Sequence, residues 1–79
     1  MKIIITGGQG FLGQRLAKTL LQQPQINIKE LILVDVNEPI IHNKDSRVRS
    51  IKMDLRHPQG LNEIITPDTD VIFHLAAIV

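Results

Sequence analysis

The sequence predicts an α/β fold built on a parallel sheet. Short apolar runs recur at residues 2–6, 31–34, 48–53 and 71–75. A stretch with helical period separates the first two runs, and a shorter one precedes the last. Buried strands alternating with helices imply parallel pairing and right-handed crossovers. The expected architecture is a four-stranded sheet of order 3-2-1-4 with flanking helices.

Each element has its own signal. Residues 2–6 (KIIIT) form a β-branched run stopped by glycines. The run does not alternate with polar residues, so it reads as a buried strand. From Phe11 to Gln23, Leu12, Leu16 and Leu20 recur at i, i+4 and i+8, with Ala17 and Leu21 beside them. This is the apolar face of a helix, and Gln14, Arg15, Lys18, Gln22 and Gln23 cover the other side. Pro24 ends it. Leu31 to Val34 is the second strand and runs into Asp35. Residues 36–47 are polar and read as a loop, with a turn near Ile40 and Ile41. Val48 to Met53 is the third strand, with Met53 in the core and Asp54 following. Pro58 suits a first helical position. Leu61, Ile64 and Ile65 then mark a short helix, which Thr66-Pro67-Asp68 breaks. Val71 to Leu75 is the fourth strand and continues into Ala76-Ala77-Ile78-Val79.

Composition narrows the function classes. The 79 residues carry a net charge of +1, with 43% hydrophobic and 22% charged side chains, as in an ordinary folded domain rather than a disordered chain. A core from so short a chain is marginal, and without cysteine no disulfide or thiolate–metal site supports it. Dispersed basic residues and only two aromatic side chains, both Phe, argue against nucleic acid as a partner. No apolar run approaches a membrane span, and no targeting or lipidation signal is evident. The cytoplasm is the expected location.

Thr6-Gly7-Gly8-Gln9-Gly10-Phe11-Leu12-Gly13 joins the first strand to the first helix. Two registers fit: Gly8-x-Gly10-x-x-Gly13 and Gly7-x-x-Gly10-x-x-Gly13. Either suits a dinucleotide. One glycine turns the chain sharply, another lets a pyrophosphate approach the backbone, and a third lets helix and strand pack closely. The N–H groups at the helix start face the phosphates, with the positive end of the helix dipole behind them. The motif alone is weak, but here a strand precedes it, a helix follows, and Asp35 ends the second strand 22 residues past Gly13. A carboxylate there accepts both adenosine-ribose hydroxyls. The competing reading is a structural turn with Asp35 as an ordinary strand-end residue. A phosphate-loop NTPase is excluded, since no Gly-Lys-Ser/Thr follows.

TGGQGFLG, the acid in LVDV, MDL at 53–55 and DVIFHLAA at 70–77 occur together in this order. In combination they resemble the extended short-chain dehydrogenase/reductases, the NAD-dependent epimerase/dehydratase family. The ending HLAAIV is most similar to the branch holding D-erythronate dehydrogenase-like enzymes and nucleoside-diphosphate-sugar epimerases. The resemblance implies the first half of a Rossmann fold and NAD as cofactor. It places Gly7, Gly10 and Gly13 at the three glycine positions, and the Phe11 and Leu12 amides on the pyrophosphate. Asp35 then holds the ribose, and Asp54 and Leu55 line the adenine pocket. Leu75, Ala76 and Ala77 pass the central and nicotinamide-side ribose, although by periodicity alone they read as core. The family's Tyr-x-x-x-Lys pair is not in these residues, which contain no tyrosine.

The chain therefore reads as the N-terminal, NAD-binding part of a sugar-nucleotide or sugar-acid oxidoreductase, not itself catalytic, whose parent is a homodimer. The expected fourth strand ends in apolar sequence with nothing to cover it, which also suggests a piece of a larger domain. A non-enzymatic dinucleotide-sensing module, with a partner over that strand, is the alternative. His42, His57 and His74 are spaced too irregularly for a metal site. His74 reads as a core or hydrogen-bonded histidine. Arg47, Arg49, Lys52 and Arg56 read as a solvated face rather than an NADP phosphate site.

Overall fold

A computed structural model describes residues 1–37, 45–54, 56 and 58–75. The elements run β1 (Lys2–Thr6), α1 (Phe11–Leu21), β2 (Glu30–Asp35), β3 (Val48–Lys52), α2 (Pro58–Ile64) and β4 (Val71–His74). All pairings are parallel and the order is β3-β2-β1-β4, as expected. The turn placed near Ile40 and Ile41 lies outside the described residues, as do His42 and His57.

Side chains alternate across the sheet with period two, so each central strand feeds two cores. On one face Ile3, Ile5, Leu31 and Leu33 pack with Ala17, Leu16, Leu20 and Leu21 of α1. On the other, Ile4, Ile32 and Val34 meet Ile64 of α2, with Ile51, Met53 and Ile65 at the margin. A strand covered on both sides needs apolar residues at every position. That is why β1 and β2 read as unbroken apolar runs. Each such fully buried side chain contributes about 1.5–3 kcal/mol.

Two expectations need correction. Leu12 is 67% exposed and is not part of the buried face of α1. The buried residues of the helix are Gly13 and Ala17, with Leu16 and Leu20 packed beside them; Leu12 continues the same stripe in the first turn, where the helix overhangs the sheet. Helix α1 stops at Leu21, within the limit that Pro24 sets at Gln23, and the Gln22 N–H bonds the Lys18 and Thr19 carbonyls. The outer strands are half-covered rather than buried. In β4, Val71 and Phe73 pack toward α1, while Ile72 and His74 are exposed. His74 is accordingly a hydrogen-bonded histidine and not a core one: its Nδ1 lies 2.8 Å from the Thr6 hydroxyl.

Candidate functional site

The chain leaves β1 toward β2 on one side of the sheet, and β4 lies on the other. Ligands of open α/β sheets bind where the strand order reverses in this way, at the carboxyl ends of the strands. The glycine-rich turn sits there, between Thr6 and α1.

The four glycines of the turn do different work. Gly7 has φ 72°, a left-handed conformation that L side chains rarely adopt. A Cβ on Gly8 would lie 2.7 Å from the Leu33 Cβ, so glycine lets the turn press against β2. A Cβ on Gly13 would lie 2.4 Å from the Gly7 carbonyl oxygen and 2.8 Å from the Gly8 Cα, so glycine lets α1 start hard against the turn. Gly10 differs. Its φ of −74° and ψ of 168° suit any residue. Among the described residues its Cβ would meet the Gly7 oxygen, at a tight 3.3 Å. The fold explains glycine at positions 7, 8 and 13 more strongly than at position 10, where a Cβ needs the Gly7 carbonyl to give by a few tenths of an ångström. Both registers considered in the sequence are thus occupied, with Gly8 serving packing.

Gly10 is the N-cap residue of α1, and no acidic residue stands in the first turn. The helix start consequently offers N–H groups and the positive end of its dipole with no carboxylate of its own to absorb them. Phe11 and Leu12 are 75% and 67% exposed. Arg15 stacks on the Phe11 ring at 5.6 Å from its centroid.

Asp35 ends β2 beside the turn and is only 8% exposed. Its Oδ2 accepts the Gln9 N–H at 2.9 Å. Its Oδ1 accepts the Asn37 backbone N–H at 3.0 Å and the Asn37 side-chain amide at 3.1 Å. A carboxylate has about four acceptor positions; these three bonds leave room for one further donor, such as a single ribose hydroxyl. Asp35 is therefore both a structural tie and a possible ribose acceptor. Lys52 is its register neighbour on β3.

Asp54 follows β3 as expected, but Arg56 grips its carboxylate. The guanidinium donates to Oδ2 at 2.6 Å through Nη2 and to Oδ1 at 3.0 Å through Nε. This hydrogen bonding holds the guanidinium pKa above its ordinary value. An adenine amino group would share those oxygens with Arg56. Arg47 likewise folds onto Asp45 and donates to the Leu21 carbonyl, and Arg49 approaches Glu30 at 3.9 Å. Arg49, Lys52 and Arg56 are exposed and Arg47 is half-buried, in keeping with a solvated face, and Arg47, Arg49 and Arg56 also pair with carboxylates of the same chain. Leu75 follows β4 and donates its N–H to the Thr6 carbonyl at 3.1 Å. Leu55, Ala76 and Ala77 lie outside the described residues. Among the described residues, no group of ligating side chains could hold a metal, and no helix is long and apolar enough to cross a membrane.

Sequence reasoning passed over Gln9, Gln14 and Asn37. The Gln14 amide donates to the Gly8 carbonyl at 2.6 Å and to the Gln9 Oε1 at 3.2 Å. The Gln9 amide reaches the Ser50 hydroxyl at 3.4 Å. Amide side chains inside a glycine-rich turn, which has many backbone groups to satisfy, were the available signal.

Comparison with known proteins agrees with this geometry. The sequence model of the NAD dependent epimerase/dehydratase family matches residues 3–79. A D-erythronate dehydrogenase of Haemophilus influenzae is 66% identical over 79 residues, covering the whole chain and 25% of that relative. One from Cupriavidus necator is 45% identical over 86 residues, covering the whole chain and 26% of the relative. A dTDP-glucose 4,6-dehydratase from Streptomyces venezuelae, solved with NAD bound, superposes with a TM-score of 0.83 at 28% identity. That match covers the whole chain and 27% of the dehydratase. The chain thus spans about a quarter of the length of the curated relatives it matches.

Proposed function

The chain belongs to the NAD dependent epimerase/dehydratase family, and from that premise we propose that it forms the adenosine- and pyrophosphate-binding part of an NAD-dependent oxidoreductase acting on a sugar acid. The observation that carries the proposal is the lightly constrained side of Gly10, where a Cβ makes one tight contact and no severe clash. The fold demands glycine there less than at positions 8 and 13, whereas a pyrophosphate lying on the helix start requires it. Asp35, anchored beside the turn, supplies the matching ribose acceptor.

On this reading the Phe11, Leu12 and Gly13 amides bind pyrophosphate oxygens, and Gly7 shapes the turn. Asp35 accepts from the adenosine ribose. Asp54 and Leu55 border the adenine, and Leu75, Ala76 and Ala77 pass the nicotinamide-side ribose. When bound, NAD supplies the hydride acceptor. The tyrosine and lysine that move protons in this family are contributed by sequence outside these 79 residues, so residues 1–79 are one part of the binding domain. The 66% identity to a D-erythronate dehydrogenase favours a sugar acid over a sugar nucleotide. The whole protein is then a cytoplasmic homodimer.

The test uses the full-length protein, with D-erythronate and a nucleoside-diphosphate sugar as rival substrates. NADH formation with D-erythronate is expected, together with loss of NAD binding in Gly10→Val. A Gly10→Val protein that binds NAD as tightly as the wild type would make the turn purely structural.

A further inference from the structure

The Gly8 carbonyl and the Gln9 N–H are the two ends of one peptide unit. A peptide is planar, so fixing one end fixes the other. The Gln14 amide holds the carbonyl end at 2.6 Å. The Asp35 carboxylate holds the N–H end at 2.9 Å. Gln14 also donates to the Gln9 side chain, whose own amide reaches Ser50 on β3. From these contacts we propose that Gln14 is a positioning residue: it latches the Gly8–Gln9 peptide and, through it, sets the Asp35 carboxylate in the pose that accepts a ribose 2′-hydroxyl.

The alternative conformation shows why a latch matters. Turns of related type differ by a flip of one peptide plane. A flip here would turn the Gly8 carbonyl toward Asp35, oxygen against carboxylate, and remove the Gln9 N–H from it. Asp35 would then be held through Oδ1 by Asn37 alone, with Oδ2 released to turn away, and the carbonyl would present negative charge near the pyrophosphate. Gly8 is buried against Leu33, so its carbonyl also depends on Gln14 for a partner among the described residues. Gln14 lies in the second turn of α1, and its effect on cofactor passes through the turn and Asp35. The inference rests on reading the turn as a dinucleotide site.

The experiment compares full-length wild type with Gln14→Ala, which favours the helix and removes the amide, and Gln14→Glu, which keeps the size and removes the donor. Cofactor dissociation constants are measured for NAD and NADP, with kcat and KM for NAD and the melting temperature. The KM and dissociation constant for NAD should rise about tenfold, the effect of losing one hydrogen bond. The kcat should stay within about twofold, since Gln14 touches no reacting atom. The preference for NAD over NADP should narrow, because a displaced Asp35 repels the 2′-phosphate less. Folded variants with unchanged NAD affinity and unchanged preference would overturn the latch. So would equal weakening toward both cofactors with a lowered melting temperature, which marks a merely structural role. A wild type that binds neither cofactor would remove the dinucleotide reading itself, and the latch with it.

Discussion

Gly13→Ala and Gly10→Ala are the same chemical change, three residues apart, and the structure gives them opposite consequences. At position 13 the added Cβ would lie 2.4 Å from the Gly7 carbonyl oxygen and 2.8 Å from the Gly8 Cα. The first distance is roughly 1 Å short of ordinary carbon–oxygen contact. Both neighbours are backbone, so no rotamer change relieves the clash. Overpacking of this kind costs about 1–3 kcal/mol, here near the upper end. Alanine recovers about 1 kcal/mol of helix propensity. The expected net loss is about 2 kcal/mol. At position 10 the single contact, 3.3 Å to the Gly7 oxygen, needs a shift of only a few tenths of an ångström. The poorer N-cap is offset by about 0.4–1 kcal/mol from restricting the unfolded chain. Stability should therefore change by less than about 1 kcal/mol, while NAD affinity falls at least about tenfold because the Cβ enters the pyrophosphate's space. Urea denaturation and NAD titration of both full-length variants measure the four quantities. If Gly13→Ala proves as stable as Gly10→Ala, the close approach of helix and turn is wrong. If Gly10→Ala keeps wild-type NAD affinity, the side of Gly10 is not the phosphate site.

Four further outcomes are expected. NAD should bind in preference to NADP, since Asp35 would meet the 2′-phosphate at about 4 Å, a repulsion of about 4 kcal/mol at intermediate dielectric; Asp35→Ala should narrow the gap, and titration with both cofactors checks it. The Arg47 guanidinium, hydrogen-bonded to Asp45, holds that carboxyl down to about 2. Its stabilising effect is therefore complete above the ordinary carboxylate range and is lost as pH falls from about 4 toward 2; an NMR titration should find the low midpoint and its return toward 3.8 in Arg47→Ala. Ile4→Ala removes a fully buried side chain between β2, β4 and α2 and should cost about 2–5 kcal/mol by chemical denaturation. Residues 1–79 expressed alone should self-associate, because β4 borders the sheet with Ile72 43% exposed; a monodisperse, cooperatively melting monomer in sedimentation would contradict this.

What the sequence made legible follows from which physical signals are local. Ile3 to Ile5 and Leu31 to Val34 announce central strands because burial on both faces demands an unbroken apolar run. The turn is legible because three of its glycines answer to backbone geometry. The order of strands follows from connection rules. Leu12 misled because the i, i+4 stripe gives no sign of where a helix begins to overhang the sheet. The half-exposure of Ile72 and His74 depends on what lies beside β4, which no local pattern contains. The grip of Arg56 on Asp54 and of Gln14 on Gly8 depends on side-chain rotamers in three dimensions, and their spacing in sequence has no distinctive period.

The site's rigidity bears on how tightly such a turn can hold a ligand. Ordering a mobile loop at the moment of binding subtracts from affinity. Here the amides of Gly8, Gln9 and Gly10 are already bonded to Val34, Asp35 and Gly7. The carbonyls of Gly7 and Gly8 are bonded to Gly10 and Gln14. The turn is thus fixed by its own hydrogen bonds, and the donors left at its end are those of the first helical turn, where the dipole favours an anion. Asp35 stands as the acid at the far side, anchored by Gln9 and Asn37. On the proposed reading, the positive helix end takes the pyrophosphate of a dinucleotide and the anchored carboxylate takes a ribose hydroxyl. A structural turn needs the first set of hydrogen bonds, but it gains nothing from an uncapped helix start beside a glycine that the fold constrains only lightly. That conjunction, more than the glycine spacing, separates a cofactor site from a tight turn.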